Sequence, residues 1–454
     1  IPYILEREGT LLEERHLPGY TVFLYVVDED RPALETRRVD VHFGPLRLRD
    51  AVVQTWVPAD EATAVALTWR LEGALKHPYK VALSLVDEAG RTLARRDRFL
   101  RDASGRDTAS WHEGQEVTNY YTLYLPPGLA PLDYALEVSV YHEGDLAGLD
   151  LLDLAGAPAG KSYQLATIEL TPALRRAPRQ AVDRTRLGLQ ELAARPEIAP
   201  GLTLNAYHLE REHYRTGERL AVLLEWQQTS DSTLPEYYPE VRLVRQGQAL
   251  AARDAAPVYD RYPTSWWQPD ETVLDWRDLI VPPEVESGPA ELQVRVRGQE
   301  PLLLGWVQIE AVLRVYDPPE MLRRVRSPWS EVAALAGYDL SAFEVVAGRD
   351  LNLTLYWEAL GPSGQELVVF THLLSEDGRL IAQHDGPPAN GERPTTGWVE
   401  GEYIADSHAF QWVDTVYTGL AMMEVGFYDP RTGLRLLTPR GDSHLLLPDA
   451  IMVR

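Results

Sequence analysis

The chain has 454 residues, with 44 lysines and arginines against 68 aspartates and glutamates, and it contains no cysteine. Because single hydrophobic cores stop growing at roughly 250 to 300 residues, the length predicts several domains, with three as the natural number. The net charge of −24 disfavours nucleic acid and anionic lipid as partners. The lack of cysteine excludes disulfides, thiolate metal sites and a cysteine nucleophile.

Residues 1–38 form an N-terminal extension, in which the apolar run Tyr20 to Val27 is long enough for one strand. We expect this strand to pack on the first domain or to add to the open sheet edge of a neighbouring molecule, so that the protein is its own partner. The chain opens at Ile1 rather than Met, which favours a processed product or a piece of a longer protein with a preceding targeting or membrane region. No run of residues approaches the roughly 18 apolar positions of a membrane span.

An internal repeat begins after the extension. Three strand-like segments end in a tryptophan, and an aspartate follows 28 residues after each of them. A second tryptophan follows the aspartate after 14, 13 and 13 residues, with a threonine three residues before it in every copy. These matching distances define three homologous copies. The anchors, in copy order, are Trp69, Trp226 and Trp357, then Asp97, Asp254 and Asp385, then Trp111, Trp267 and Trp398.

Between the anchors, short β-branched or aromatic runs are separated by Gly, Pro and Asp, a pattern typical of strands and turns. Val81 to Val86, followed by Asp87 to Gly90, is predicted as the first half of a hairpin. The chain is therefore predicted to be all-β, with three tandem homologous β-sandwiches of Ig-like or jelly-roll topology and a short helical linker. The predicted boundaries are 39–172 for the first sandwich, 173–197 for the linker, 198–314 for the second sandwich and 315–454 for the third.

The third copy carries a distinctive series of segments: Ala336 to Leu340, Leu353 to Trp357, Val369 to Leu373, Ala382 to Asp385, Pro394 to Trp398 and Val425 to Asp429. This series resembles a bacterial β-sandwich module that follows the membrane part of glycosyltransferases related to protein O-mannosyltransferases, or that stands in surface proteins. The resemblance implies a bacterial, extracytoplasmic chain, secreted or on the cell surface, and a non-catalytic appendage. It transfers no catalytic residue.

Polar residues recur four and eight residues after the second tryptophan. Carboxylates at both positions, as in the second and third copies, would suit an acid and base for glycoside cleavage. The first copy has amides there, so the shared property is hydrogen bonding rather than acidity. We therefore expect these residues to cap turns or brace strands. The pairs are Gln115 and Asn119, Glu271 and Asp275, and Glu402 and Asp406.

The repeated aspartates Asp97, Asp254 and Asp385 allow two interpretations. A calcium site would combine them with neighbouring carbonyl oxygens. No spaced run of further oxygen ligands accompanies them, so a structural hydrogen bond is preferred. No other cofactor is expected.

The third copy also contains His372, His384, His408 and Asp406, which together are a candidate metal cluster. The first copy has a serine and an arginine at the positions of the first two histidines, and no His-Glu-x-x-His spacing is present. Ordinary polar placement is therefore favoured over a metal site.

Twelve tryptophans and 22 tyrosines against seven phenylalanines favour rings with a polar handle, which suit sugars and interfaces. The strand-ending Trp69, Trp226 and Trp357 are expected in the cores. An exposed aromatic platform would bind carbohydrate, whereas the alternative is that the same rings pin a long loop to the sandwich. The candidate ligand-binding residues are Trp111, Tyr259, Tyr262, Trp266, Trp267 and Trp398.

The function expected from these features is that of a non-catalytic extracytoplasmic structural or interaction protein, at the cell surface or attached to a glycosyltransferase, that self-assembles. An array of carbohydrate-binding modules with a surface glycan as partner is the alternative. A glycoside-active enzyme is a more distant one. No nucleic-acid partner is expected.

Overall fold

The computed structural model describes residues 9–17, 20–27, 35–146, 148–152, 160–172, 182–431 and 433–454, and for the first two ranges the backbone alone. Strands hold 53% of the residues and helices 4%, which confirms the predicted all-β fold. The strands follow from alternation of apolar side chains. In Asp133–Tyr141, for example, Tyr134, Leu136, Val138 and Val140 are buried and the residues between them are not.

The N-terminal extension contains one strand more than predicted. The strands β1 (Gly9–Leu17) and β2 (Tyr20–Val27) pair as an antiparallel hairpin. The predicted strand Tyr20–Val27 thus has a partner in its own chain. The additional strand escaped prediction because its sequence lacks a clean alternation of apolar and polar residues.

The described residues of the first copy form ten strands in two sheets. The strands are β3 (Glu35–Phe43), β4 (Leu46–Val53), β5 (Trp56–Pro58), β6 (Ala62–Leu71), β7 (Lys80–Val86), β8 (Thr92–Phe99), β9 (Glu116–Tyr124), β10 (Asp133–Tyr141), β11 (Leu151–Leu152) and β12 (Ser162–Thr171). One sheet has the order β5-β12-β10-β7-β8, and the other has the order β11-β3-β4-β6-β9. Both sheets contribute to one buried core, in which the Trp69 ring is fully enclosed.

The predicted helical linker, 173–197, is only partly helical where it is described. Residues 173–181 lie outside the described residues, and α1 (Arg184–Leu187) is a single turn that ends at Gly188 in a left-handed conformation. After it, β13 (Gln190–Glu191) already belongs to a sheet. The described part of the predicted linker therefore contains one helical turn and a short edge strand rather than a continuous helix.

The second copy continues with nine further strands. They are β14 (Glu197–Ala199), β15 (Leu202–Leu209), β16 (His213–Arg215), β17 (Arg219–Gln228), β18 (Pro239–Arg245), β19 (Gln248–Asp254), β20 (Thr272–Ile280), β21 (Gly288–Val296) and β22 (Leu302–Glu310). One sheet has the order β13-β15-β17-β20, with β14 also paired to β15, and the other has the order β16-β22-β21-β18-β19.

The third copy has ten strands and its own buried core. They are β23 (Arg323–Trp329), β24 (Ala333–Leu340), β25 (Glu344–Val345), β26 (Asn352–Ala359), β27 (Val368–Ser375), β28 (Leu380–Gly386), β29 (Tyr403–Ala409), β30 (Gln411–Trp412), β31 (Gly419–Tyr428) and β32 (Leu445–Val453). The sheet orders are β23-β24-β26-β29 and β25-β32-β31-β27-β28-β30.

One strand order recurs in all three copies. A short strand runs parallel to the last strand of its copy, namely β5 with β12, β16 with β22 and β25 with β32. The facing sheets share the three-strand series β4-β6-β9, β15-β17-β20 and β24-β26-β29. This division of strands between the sheets favours the Ig-like topology over the jelly-roll topology.

The chain divides into two compact units. One comprises Ile1–Ala206, Leu224–Glu236 and Pro257–Asp275, and the other comprises Tyr207–Leu223, Tyr237–Ala256 and Trp276–Arg454. Three separate domains therefore stay a prediction, although the sequence repeat is matched by a repeat of topology.

Among the described residues, no helix is long and apolar enough to cross a membrane.

Candidate functional site

The turn directly before the second tryptophan has the same construction in every copy. It is a single turn of 3-10 helix, Thr108–Ser110, Thr264–Trp266 or Thr395–Gly397. The threonine hydroxyl donates a hydrogen bond of 2.6 to 2.9 Å to a backbone carbonyl about 30 residues earlier. The repeated threonine thus fixes the turn to a distant loop. The acceptors are the carbonyl oxygens of His77, Pro235 and Gln365.

The tryptophan after each turn is a structural side chain. Trp111, Trp267 and Trp398 are 7%, 3% and 0% exposed. Each indole Nε1 donates to the carbonyl oxygen five residues earlier, at 3.2, 3.2 and 2.9 Å. Burial therefore contradicts an exposed platform of these three rings and agrees with the alternative that they pin the loop.

The residue four positions after this tryptophan closes the turn in all three copies. Oxygens of Gln115, Glu271 and Glu402 accept a hydrogen bond from the backbone N–H that follows the tryptophan, at 3.1, 2.6 and 2.8 Å. An amide and a carboxylate fill the same role, so the role does not require acidity.

Glu402 makes additional ion pairs inside the second unit. It is fully buried and receives Nη1 of Arg314 at 2.7 Å and Nη2 of Arg393 at 2.6 Å. Arg314 also donates to the carbonyl oxygens of Pro283 and Gly397. Because its carboxylate is buried and paired with two guanidinium groups, we assign Glu402 a structural role rather than proton transfer. Sequence reasoning missed Arg314 because it lies outside the repeated pattern.

The residue eight positions after the tryptophan braces the first tryptophan of the copy. Asp275 accepts hydrogen bonds from Nε1 of Trp226 at 3.1 Å and from the backbone N–H of Val258 at 2.7 Å. Asp406 accepts the equivalent bonds from Trp357 at 3.2 Å and from Ala389 at 2.8 Å. The two carboxylates therefore tie a loop to a core indole.

The first copy departs from this arrangement because it has an amide at this position. Asn119 donates from Nδ2 to the carbonyl oxygen of Arg101 at 2.7 Å, so its hydrogen bond runs in the opposite direction. Within the described residues, Asn119 Oδ1 and Trp69 Nε1 are both buried without a hydrogen-bond partner. The first copy thus lacks the closed connection between indole and loop that the other copies have.

The repeated aspartates that follow the first tryptophan each have a different partner. Asp97 accepts from Arg95 at 3.0 Å and from the Tyr141 hydroxyl at 2.8 Å, while Asp254 pairs with Arg297 at 3.5 Å and Asp385 with His372 at 3.4 Å. Burial acts to raise the pKa of Asp97, but the two hydrogen bonds outweigh it and lower the pKa. Within the described ranges, no three His, Asp or Glu side chains lie in an arrangement that could hold a metal ion.

Two of the three candidate histidines meet in the third copy. Nε2 of His408 lies 2.9 Å from Oδ2 of Asp406, and Nδ1 of His408 lies 2.9 Å from Nδ1 of His384. Burial and the neighbouring His408 lower the pKa of His384. His372 does not join this series of hydrogen bonds, since it pairs with Asp385 instead.

Among the remaining candidate ligand residues, Trp266 is the exposed one, at 63%. Tyr262 is buried and donates from its hydroxyl to Glu271 at 2.8 Å. Tyr259 is half-buried, and within the first unit its hydroxyl donates to Asp87 of the first copy at 2.9 Å. The predicted cluster therefore separates into one exposed indole and two tyrosines with structural hydrogen bonds.

Loops of the second and third copies contact the copy that precedes them. In the first unit, Tyr259 bonds Asp87, and Arg261 lies 3.3 Å from Glu88. In the second unit, the hydroxyl of Thr396 donates to the Gly217 carbonyl at 2.7 Å. A Cβ on Gly397 would overlap the Cα of Gly217, so only glycine permits this approach. These loops are joints between copies.

The first copy has a groove that sequence reasoning missed. It has a volume of about 1110 Å³ and is lined by β8, by the turn at residues 101–106 and by β9. Arg96, Arg98 and Arg101 contribute cations, and Tyr120 and Tyr124 contribute rings that are 45% and 62% exposed. The sequence signal was the arginine-rich stretch from 95 to 106, which also fits an ordinary charged edge strand.

Comparison with models of known protein families and with curated proteins finds no match to this chain.

Proposed function

We propose that this chain is a non-catalytic, extracytoplasmic structural or interaction protein, built as a tandem array of β-sandwiches at a bacterial cell surface. The observation that supports this most is the use of the recurring polar residues. In all copies they close the turn that follows the second tryptophan, and in the second and third copies the neighbouring loops also bond to the preceding copy. Side chains that are hydrogen-bonded within the fold in this way make the structure rigid.

The extracytoplasmic location and the association with a surface or a glycosyltransferase rest on the resemblance of the third copy. Fractionation of the producing cells tests them, with the native polypeptide followed by an antibody. A product in surface washes supports a free surface protein, and a larger product in membranes supports an appendage of an integral enzyme. Recovery in the cytosol would contradict the proposal.

The non-catalytic assignment is tested with the intact chain and a panel of cell-wall and exported polysaccharides, by measuring new reducing ends. We expect no turnover by the native chain, nor by the Glu271→Gln and Glu402→Gln variants, because both carboxylates are bonded within the fold. Turnover that disappears when either carboxylate is neutralised would contradict this assignment.

A carbohydrate-binding array is the second candidate function, and the exposed Trp266 favours it. Its indole stands edge-on to Tyr262, with ring centroids 6.4 Å apart, and so presents its apolar surface to solvent. If this indole binds sugar, Trp266→Ala should abolish binding and leave stability unchanged. Ser265→Ala is the control, since it alters the neighbouring residue and keeps the ring.

A further inference from the structure

The groove of the first copy concentrates positive charge in a strongly acidic chain. Arg96, Arg98 and Arg101 line it, whereas the whole protein carries a net charge of −24. Within the described part of the chain, none of these three arginines has a carboxylate partner. Arg98 donates to the carbonyl oxygen of Tyr120 at 2.8 Å and Arg101 to that of Gly105 at 2.6 Å.

The carboxylates that line the groove are already engaged. Asp102 pairs with Arg106 at 2.8 Å, and Glu116 pairs with Arg49 at 2.9 Å. The three remaining guanidinium groups therefore keep their charge available for an anion. Planar guanidinium groups bind carboxylates through paired hydrogen bonds, which makes a carboxylate a fitting counterpart.

The other lining residues suit the uncharged part of a sugar. Tyr120 and Tyr124 lie on the same face of β9 and offer ring surfaces, while Thr118 offers a hydroxyl. At about 1110 Å³, the groove is slightly larger than ordinary ligand pockets, which hold roughly 300 to 1,000 Å³. It has room for several sugar units.

The corresponding flank is covered in the third copy. The backbone N–H of Ala389, whose φ is positive, bonds Asp406 and draws the segment Pro388–Gly391 onto β29. In the first copy the equivalent segment instead forms a tight turn, in which Oδ1 of Asp102 accepts from the backbone N–H groups of Ser104 and Arg106. The first copy therefore differs from the third copy at this flank.

We propose that this groove binds an acidic oligosaccharide, with the uronate carboxylates on Arg96 and Arg98 and the sugar rings against Tyr120 and Tyr124. This proposal deepens the proposed function, because it assigns a ligand class to one copy of the array. The acidic surface elsewhere disfavours densely charged polymers such as nucleic acid. An acidic glycan carries at most one carboxylate per sugar and exposes hydroxyls between them, which fits the mixed lining.

The test is calorimetric titration of the intact chain with short oligogalacturonate, and with its methyl-esterified form as the neutral counterpart. We expect binding of the acid form that weakens with added salt, and binding at least about tenfold weaker for the ester. Arg96→Ala should weaken binding of the acid form about tenfold, and Arg96→Lys should restore part of it. Arg96 is exposed and has no side-chain partner among the described residues, so these variants should keep the fold.

Arg95→Ala is the matched control, because Arg95 lies on the same strand but pairs with Asp97 outside the groove lining. It should bind as the native chain does. Absence of oligogalacturonate binding by the folded native chain would overturn the inference, as would equal affinity for the ester or equal losses in the Arg95 and Arg96 variants. None of these outcomes would affect the non-catalytic assignment, which depends on turnover and not on binding.

Discussion

The first and third copies share a strand order but differ at the flank where the second-tryptophan loop meets the sandwich. In the third copy, Asp406 receives the Trp357 indole, the Ala389 backbone and His408, and the flank is covered. In the first copy, Asn119 reverses the direction of one hydrogen bond, and the Trp69 indole has no partner among the described residues. A groove lies there instead.

The difference shows how a repeated frame can be conserved within one chain while its surface diverges. The frame consists of the threonine, the second tryptophan and the residue four positions after it, and these make the same bonds in every copy. The position eight after the tryptophan bonds the loop differently, since Asp275 and Asp406 accept from a backbone N–H whereas Asn119 donates to a backbone carbonyl. A change from carboxylate to amide at that position replaces one acceptor oxygen by an NH2 donor, and in the first copy this donor bonds the Arg101 carbonyl.

The largest expected difference in stability between the first and third copies comes from the residue four positions after the second tryptophan. Glu402→Ala should destabilise the third copy by about 3 to 5 kcal/mol, because it leaves two largely buried arginines without their counterion. Gln115→Ala should cost about 1 kcal/mol, since only one backbone hydrogen bond is lost. Calorimetric unfolding of the full chain measures both changes. Equal losses would mean that the ion pairs of Glu402 contribute nothing.

A smaller difference in stability is expected from the residue eight positions after the second tryptophan. Asp406→Ala removes the acceptor of the Trp357 indole and of the Ala389 backbone, for an expected loss of about 3 kcal/mol. Asn119→Ala should cost about 1 kcal/mol, because it removes one bond to a carbonyl. Hydrogen exchange of the strands β26 and β6 reports each effect in its own copy. A greater loss of protection in β6 than in β26 would reverse the assigned roles.

The smallest contrast is in the response to pH. Because the pKa of His384 is lowered in the folded state, the unfolded chain binds more protons once the pH drops below the ordinary histidine value of 6.5. The third copy should therefore lose stability as the pH falls from 6.5 towards the lowered pKa, and should be unaffected by His384 above 6.5. Urea unfolding across this range measures the loss, and His384→Gln should remove it. The first copy has Arg96 at this position, so an equal loss there would contradict the assignment to His384.

Sequence reasoning reached the all-β fold because alternation and turn residues are local patterns. The identical distance of 28 residues from Trp69, Trp226 and Trp357 to an aspartate indicated the copies. The amides Gln115 and Asn119 indicated that acidity was not the shared property. The loop rings Trp111 and Trp398 were ambiguous, since the sequence does not show which face of a loop is covered.

Other features depend on contacts between distant segments. The groove arises where β8 and β9, which belong to different sheets, flank the turn at residues 101–106. The counterion Arg314 comes from outside the repeat, and the close approach of Gly217 and Gly397 joins residues 180 positions apart. No periodicity or spacing rule connects such residues, so they become visible only in three dimensions.

The central claim is that the residues four positions after the second tryptophan serve one structural role in every copy. Hydrogen exchange of the backbone amides of His112, Gln268 and Val399 tests it most directly, in the native chain and in the Gln115→Ala, Glu271→Ala and Glu402→Ala variants. The structure predicts that each variant loses protection at the amide of its own turn, whether the deleted group is an amide or a carboxylate. Unchanged protection in the Glu271 and Glu402 variants would contradict the claim and would favour the alternative that these carboxylates act as an acid or base.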